Sequence, residues 1–325
     1  MRCTHGGIFV TKWRIDDDTN PMQTTIPPPA YAAVLLGAML HAGWNVAVRR
    51  GHDRGFETAL VVAGGAVLAL LILPFLRQST AAAWPYLLLS ALLHVTYFGL
   101  LAAAYARAGV AVTYPLMRGV APLLVLLAAV WLFAEPLTPM AVLGVAAICA
   151  GVLLMRSRLR PGEGAASAFA LGNAAVIAAY TLNDAEGARL SHAPVAYALW
   201  IFPLTALPTL AWLLRGRSLF STSKVRPDGL ADQGSRSVRP PQAHLALGWP
   251  EVLRGLGGGA SSLASYALAL WAMTIAPVAP VAALREISML FGVALAWLVL
   301  HERPPARAWV AVVLMVAGAA ALRLG

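Results

Sequence analysis

The stretch PLMRGVAPLLVLLAAVWLF holds one arginine, Arg118, near the start of an apolar run, and VAALREISMLFGVALAWLVL holds Arg285 with Glu286 beside it. A guanidinium presents a planar fork of donors that suits a carboxylate, phosphate or phosphonate. The same group can be neutralised in place by a neighbouring acid, and for Arg285 the candidates are Glu286 and Asp184. Two readings therefore stay open for each arginine: it receives an anionic substrate group, or it locks helices together. A third applies to Arg118, whose stem can carry its charge to lipid headgroups.

Other chemistry-bearing side chains recur at helical spacing. In LHAGWNVAVRR, His41 and Asn45 stand at i, i+4 on one face, with Trp44 beside them. In AAYTLNDAEGAR, Tyr180 and Asp184 repeat that spacing, and in LLHVTYFGLL, His94 and Tyr97 share a face. Tyr114 precedes Arg118 in TYPLMRG, and Tyr266 lies in ASYALALW, facing either a cavity or the Trp271 side. His41 is a candidate for titration near neutral pH and Asp184 a candidate carrier of a coupling proton. Hydrogen bonding between helices is the competing role for both. The candidate substrate cavity is thus Arg118, Arg285, Glu286, Asp184, Tyr180, Asn45, His41, Trp44, His94, Tyr97, Tyr114 and Tyr266.

Catalytic and metal signatures are missing from the sequence. There is no His-Glu-x-x-His, no Gly-x-Ser-x-Gly and no nucleophilic cysteine arrangement. Cys3 and Cys149 are too far apart in character and position to suggest a disulfide framework or a metal cluster. An enzyme is not expected, and neither a cofactor nor a metal is expected.

The elements that carry these residues follow from composition. Of 325 residues, 59% are hydrophobic and 12% charged, and mean hydropathy is +0.72, a membrane protein's balance. Ten apolar segments emerge, near 31–49, 57–76, 84–105, 111–134, 140–155, 168–187, 194–214, 253–273, 278–300 and 307–323. Each approaches the ~20 residues that cross a ~30 Å hydrocarbon core as a helix. Helices satisfy their own backbone in lipid, so the expected fold is an all-α integral membrane protein. In it Arg118 lies roughly six residues, or ~9 Å, inside its span, and Arg285 equally deep from the opposite face. A charge at that depth should face a cavity or a partner rather than lipid.

A repeat organises the segments. One offset carries Arg118 onto Arg285, Glu135 onto Glu302, Gly151 onto Gly318 and Arg156 onto Arg323, and the dipeptide WP opens a span at Trp84 and again at Trp249. Two five-helix halves result, residues 31–156 and 168–323, joined by a linker at 157–167. Five is odd, so the halves enter the membrane from opposite sides and form inverted repeats, the plan of many secondary transporters.

Prolines at 115, 122, 203, 208, 277 and 280 offer kinks. The triplet Gly257, Gly258, Gly259 allows either close helix contact or local unwinding. Glu135 and Glu302, beside prolines at span ends, read as boundary residues. The first thirty residues form a polar tail without the apolar core of a signal peptide, which makes Met22 a candidate start.

The net charge of +10 sits mostly in connectors, which argues for topology signals rather than nucleic-acid binding. The segment 215–243 is basic and rich in Ser, Pro and Gly, and it reads as disordered. By the positive-inside rule its face is cytoplasmic and both termini lie outside.

Across residues 31–323 the chain resembles the drug/metabolite transporter superfamily, specifically proteins with two EamA domains, on LHAGWN, YPLMRGVAP, AYTLNDAEG and LREISMLFG followed by LHERP. The glutamates closing the fourth and ninth segments are typical of that resemblance. It implies a ten-helix secondary transporter moving small metabolites by alternating access, with both termini usually drawn as cytoplasmic, against the charge rule. The combined expectation is a multi-pass protein of a bacterial inner membrane whose partners are a small anionic or zwitterionic substrate and the lipid bilayer, with proton coupling and a homodimer left open. A flippase for lipid-linked cargo and a non-transporting scaffold are the alternatives.

Overall fold

The computed structural model describes residues 24–49, 54–132, 135–158, 161–214, 248–300 and 305–324. Met22, the basic segment 215–243 and Glu302 lie outside the described residues.

Regular structure among the described residues is all helical. The first half holds α1 (Pro28–Arg49), α2 (Arg54–Ile72), α3 (Trp84–Tyr105), α4 (Val110–Trp131) and α5 (Pro139–Leu154). The second holds α6 (Gly164–Leu190), α7 (Pro194–Leu214), α8 (Trp249–Ile275), α9 (Val278–Arg285), α10 (Ser288–Leu300) and α11 (Ala306–Leu324). Among the described residues, seven stretches are long and apolar enough to cross a membrane, on α2, α3, α4, α6, α7, the α9–α10 pair and α11. Helix α5 is apolar but shorter, at 16 residues. Helices α1 and α8 reach 22 and 27 residues with more polar content, α8 opening WPEVLRGLGGGASS.

Local chemistry sets several helix starts. Thr138 caps α5, its side chain accepting from the Ala141 N–H at 3.0 Å, with Pro139 in the first turn. Pro85 and Pro250 occupy the first turns of α3 and α8, where a missing N–H costs nothing. Helix α4 runs unbroken through Pro115 and Pro122, and α7 through Pro203 and Pro208. Helix α6 begins at Gly164, inside the expected 157–167 linker.

One expected span is interrupted. Residues 278–300 form α9 and α10, separated at Glu286 and Ile287. There the N–H of Glu286 bonds the Ala283 carbonyl at 2.9 Å and that of Ile287 bonds Leu284 at 3.1 Å. These i to i−3 bonds wind more tightly than an α-helix, and Arg285 and Glu286 sit at the break.

Packing crosses between the halves. Helix α1 lies against α8, α9 and α10, while α6 lies against α3 and α4. Helices α5 and α11 pack on each other, as do α2 and α7. Small residues allow the closest approaches: a Cβ on Gly64 would overlap the Gly255 backbone, and one on Gly259 the Gly64–Gly65 backbone. The glycine triplet is therefore a packing seam within a continuous α8, not an unwound segment.

Large apolar side chains such as Leu71, Leu92, Leu143 and Val313 point outward, as lipid-facing surfaces require. Trp131 and Trp249 are exposed at helix ends, where indole suits the interface.

Candidate functional site

Arg118 on α4 donates from Nε to Oε2 of Glu286 at 2.7 Å, with side-chain exposures of 11% and 5%. The acid expected to neutralise Arg285 thus bonds the other arginine, because the break after α9 places Glu286 against α4 across the halves. Tyr114, Tyr97 and Tyr180 lie within range of the Arg118 charge.

Asp184 on α6 is fully buried. Its Oδ1 accepts from the Tyr197 hydroxyl on α7 and from Asn183 Nδ2, each at 3.1 Å. Its Oδ2 accepts from the Tyr266 hydroxyl on α8. Three donors thus satisfy a carboxyl group buried at membrane depth. Asn183 is itself fixed, donating to the Tyr86 carbonyl at 2.9 Å. The Tyr266 ring carries the guanidinium of Arg285 at 5.5 Å from its centroid, so one tyrosine links Arg285 to Asp184 and faces the polar cluster.

Aromatic rings complete the assembly. His94 stacks on Tyr180, with centroids 4.3 Å apart and planes 27° apart, and meets Tyr266 edge-on at 5.9 Å. Tyr97 meets Tyr180 edge-on at 6.2 Å. His94 Nδ1 is 2.9 Å from the Ser90 carbonyl; a carbonyl only accepts, so Nδ1 carries the proton and Nε2 of the neutral ring is an acceptor. His41 packs edge-on with Trp44 at 5.4 Å and lies within range of the charges on Arg118 and Arg285. The Trp44 indole N–H is buried with no hydrogen-bond partner among the described residues. Asn45 Nδ2 donates to the His41 carbonyl at 2.7 Å, so that amide nitrogen serves α1 itself.

Two features were not anticipated from the sequence. Tyr197 lies in an apolar span with no polar neighbour to mark it. Glu135 was expected at an exposed boundary but is buried, and its Oε1 accepts from the Val278 N–H at 2.8 Å, at the start of α9. Arg189 grips the adjoining end of α8, donating from Nε to the Met273 carbonyl at 3.0 Å. Opposite charges thus sit at the two helix ends whose partial charges they complement. Cys149 is buried and free. No trio of His, Cys, Asp or Glu that could hold a metal occurs among the described residues.

Residues 28–157 match the EamA-like transporter family. No curated protein matches the chain. Solved structures do, 23 chains in all. One, a crystal structure described only as that of a protein, is 20% identical over 91% of this chain and 97% of its own, with a TM-score of 0.62. That likeness speaks to the fold alone.

Proposed function

We propose, from the match of residues 28–157 to the EamA-like transporter family and from the apolar helices of a multi-pass membrane protein, that the chain is a ten-span secondary transporter of a small anionic or zwitterionic metabolite. The spans are α1 to α8, the broken pair α9–α10, and α11, arranged as two inverted repeats. Helix packing supports that arrangement: exchanging the halves turns the α1–α8 contact into α6–α3 and α1 against α9–α10 into α6 against α4, and leaves α5–α11 and α2–α7 unchanged.

The observation that carries the functional reading is the charged cluster drawn from both halves, with Arg118 joined to Glu286 and Asp184 held from α7 and α8. Charges this deep are retained where they face a substrate path, and a discontinuous helix at the junction of repeats is a transporter's usual ligand platform. Alternating access would expose the cluster to each side in turn. Asp184 and Glu286 are the groups on which a coupled proton would ride.

Purified protein reconstituted in liposomes tests this. Counterflow of a panel of radiolabelled organic anions and zwitterions should reveal at least one transported class, with flux abolished in Asp184→Asn and altered by an imposed pH gradient. A scaffold predicts no flux for any compound and free replacement of the polar cluster by apolar residues, and that outcome would overturn the reading.

A further inference from the structure

The two membrane-depth arginines are paired in sequence but not in bonding. Resting on the transport reading above, we infer that Arg285 alone receives the substrate's anionic group and that the ligand class is a monoanion, a carboxylate on a flat or aromatic body. Arg118 is withheld from substrate by Glu286.

Arg118 spends its Nε on Glu286 at 2.7 Å, in a pair buried on both sides. Arg285 makes no hydrogen bond or ion pair among the described residues and rests over the Tyr266 ring at 5.5 Å. A ring face attracts the cation yet satisfies none of its five N–H donors. Asp184 makes no bond to Arg285; the donors its oxygens receive come from Tyr197, Asn183 and Tyr266. The fork of Arg285 is therefore matched to a pair of oxygens from outside the chain.

Charge counting selects the class. The cluster holds two guanidiniums and two carboxyl groups, so with Glu286 on Arg118 and a proton taken up by Asp184, Arg285 is left to balance one negative charge on the substrate. A dianionic phosphate brings a second charge that only Arg118 could match, and Glu286 already balances Arg118. An uncompensated charge in a low-dielectric site is strongly disfavoured. Rings lie near the position: Tyr266 under the guanidinium, and Tyr180 stacked on His94 within range of its charge, with Tyr97 edge-on to Tyr180. They suit a flat body behind the carboxylate.

Benzoate and phenyl phosphate place one and close to two negative charges on the same ring, so they separate the possibilities. Binding of radiolabelled benzoate to the purified full chain is measured directly, with phenyl phosphate as competitor. The wild type should prefer benzoate by ~10-fold or more, Arg285→Gln should lose ~10-fold or more in benzoate affinity, and Arg285→Lys should fall between them. Glu286→Gln frees Arg118 and should move the preference toward phenyl phosphate.

An unchanged preference in Glu286→Gln overturns the inference while leaving the transport reading intact, as does benzoate binding lost in Arg118→Gln but kept in Arg285→Gln. A wild type that binds neither compound overturns the anion-site reading and this inference with it. Should Arg285→Gln fail to elute as a folded species, Arg285→Lys and the preference of Glu286→Gln decide the matter.

Discussion

Tyr197 donates to the Asp184 carboxyl group without solvent contact, and Asn183 remains on the same oxygen when that donor is lost. Tyr197→Phe is expected to lower stability by about 0.5–1.5 kcal/mol, read from thermal unfolding in detergent. A Cβ on Gly187 would run into the Tyr197 ring and hydroxyl, so Gly187→Ala should displace the same bond and combine with Tyr197→Phe less than additively. At the other end of the cluster, Glu135→Ala leaves the buried Val278 N–H without its acceptor and should cost about 1–3 kcal/mol, while Glu135→Gln keeps an oxygen and should cost less. Arg118, Arg285, Asp184 and His94 were legible in the sequence because a polar side chain inside an apolar run is an exception that stands out. The bonding between them was not: Glu286 adjoins Arg285 in the chain yet bonds Arg118, and only the tertiary fold decides that. Tyr197 was invisible for a related reason, since a tyrosine in an apolar span is unremarkable until a carboxylate on another helix meets it.

At the level of helices, the α2–α8 seam makes a sharp contrast available within one glycine triplet. A Cβ on Gly259 would overlap the backbone of Gly64 and Gly65, whereas one on Gly257 meets nothing within 4 Å. Gly259→Ala should therefore pry the two helices apart and lower the melting temperature measurably. Gly257→Ala should be neutral or stabilising by up to about 1 kcal/mol, since alanine is the better helix former; equal melting temperatures for the two variants would contradict the seam. Segment positions were readable from apolar runs and from the prolines that open α3, α5 and α8. The division of α9 from α10 was not, because LREISML contains neither proline nor glycine, the residues by which a sequence announces a break. What interrupts the helix is a tightened turn at two charged residues, and no local propensity encodes it.

For the molecule as a whole, the ten spans proposed above, an even number, would place both termini on one side. The positive-inside rule puts the basic connectors in the cytoplasm and hence the termini outside. Alkaline phosphatase fused after Gly325 is expected to be active, and a fluorescent protein at the same point dark; the reverse pattern would assign the cytoplasmic termini usual for the resembling families. The sequence argues for the proposed two-half plan through Arg118 and Arg285, Glu135 and Glu302, and Gly151 and Gly318 at a single offset. That offset says nothing of which helices touch, so the interlocking of α1 with α8 and of α6 with α3 was not legible.

That interlocking bears on how the protein is made. Helix α1 is made before every helix it packs against, and the neighbours it packs against most, α8, α9 and α10, are made late, in the second half of the chain. On the ten-span reading proposed above, α1 has mainly lipid beside it while the ribosome is still producing the second half, and the polar face with His41 and Asn45 waits for partners. Native assembly is thus a late, long-range event, and a chain truncated after α7 should be a target for membrane quality control rather than a half-sized transporter.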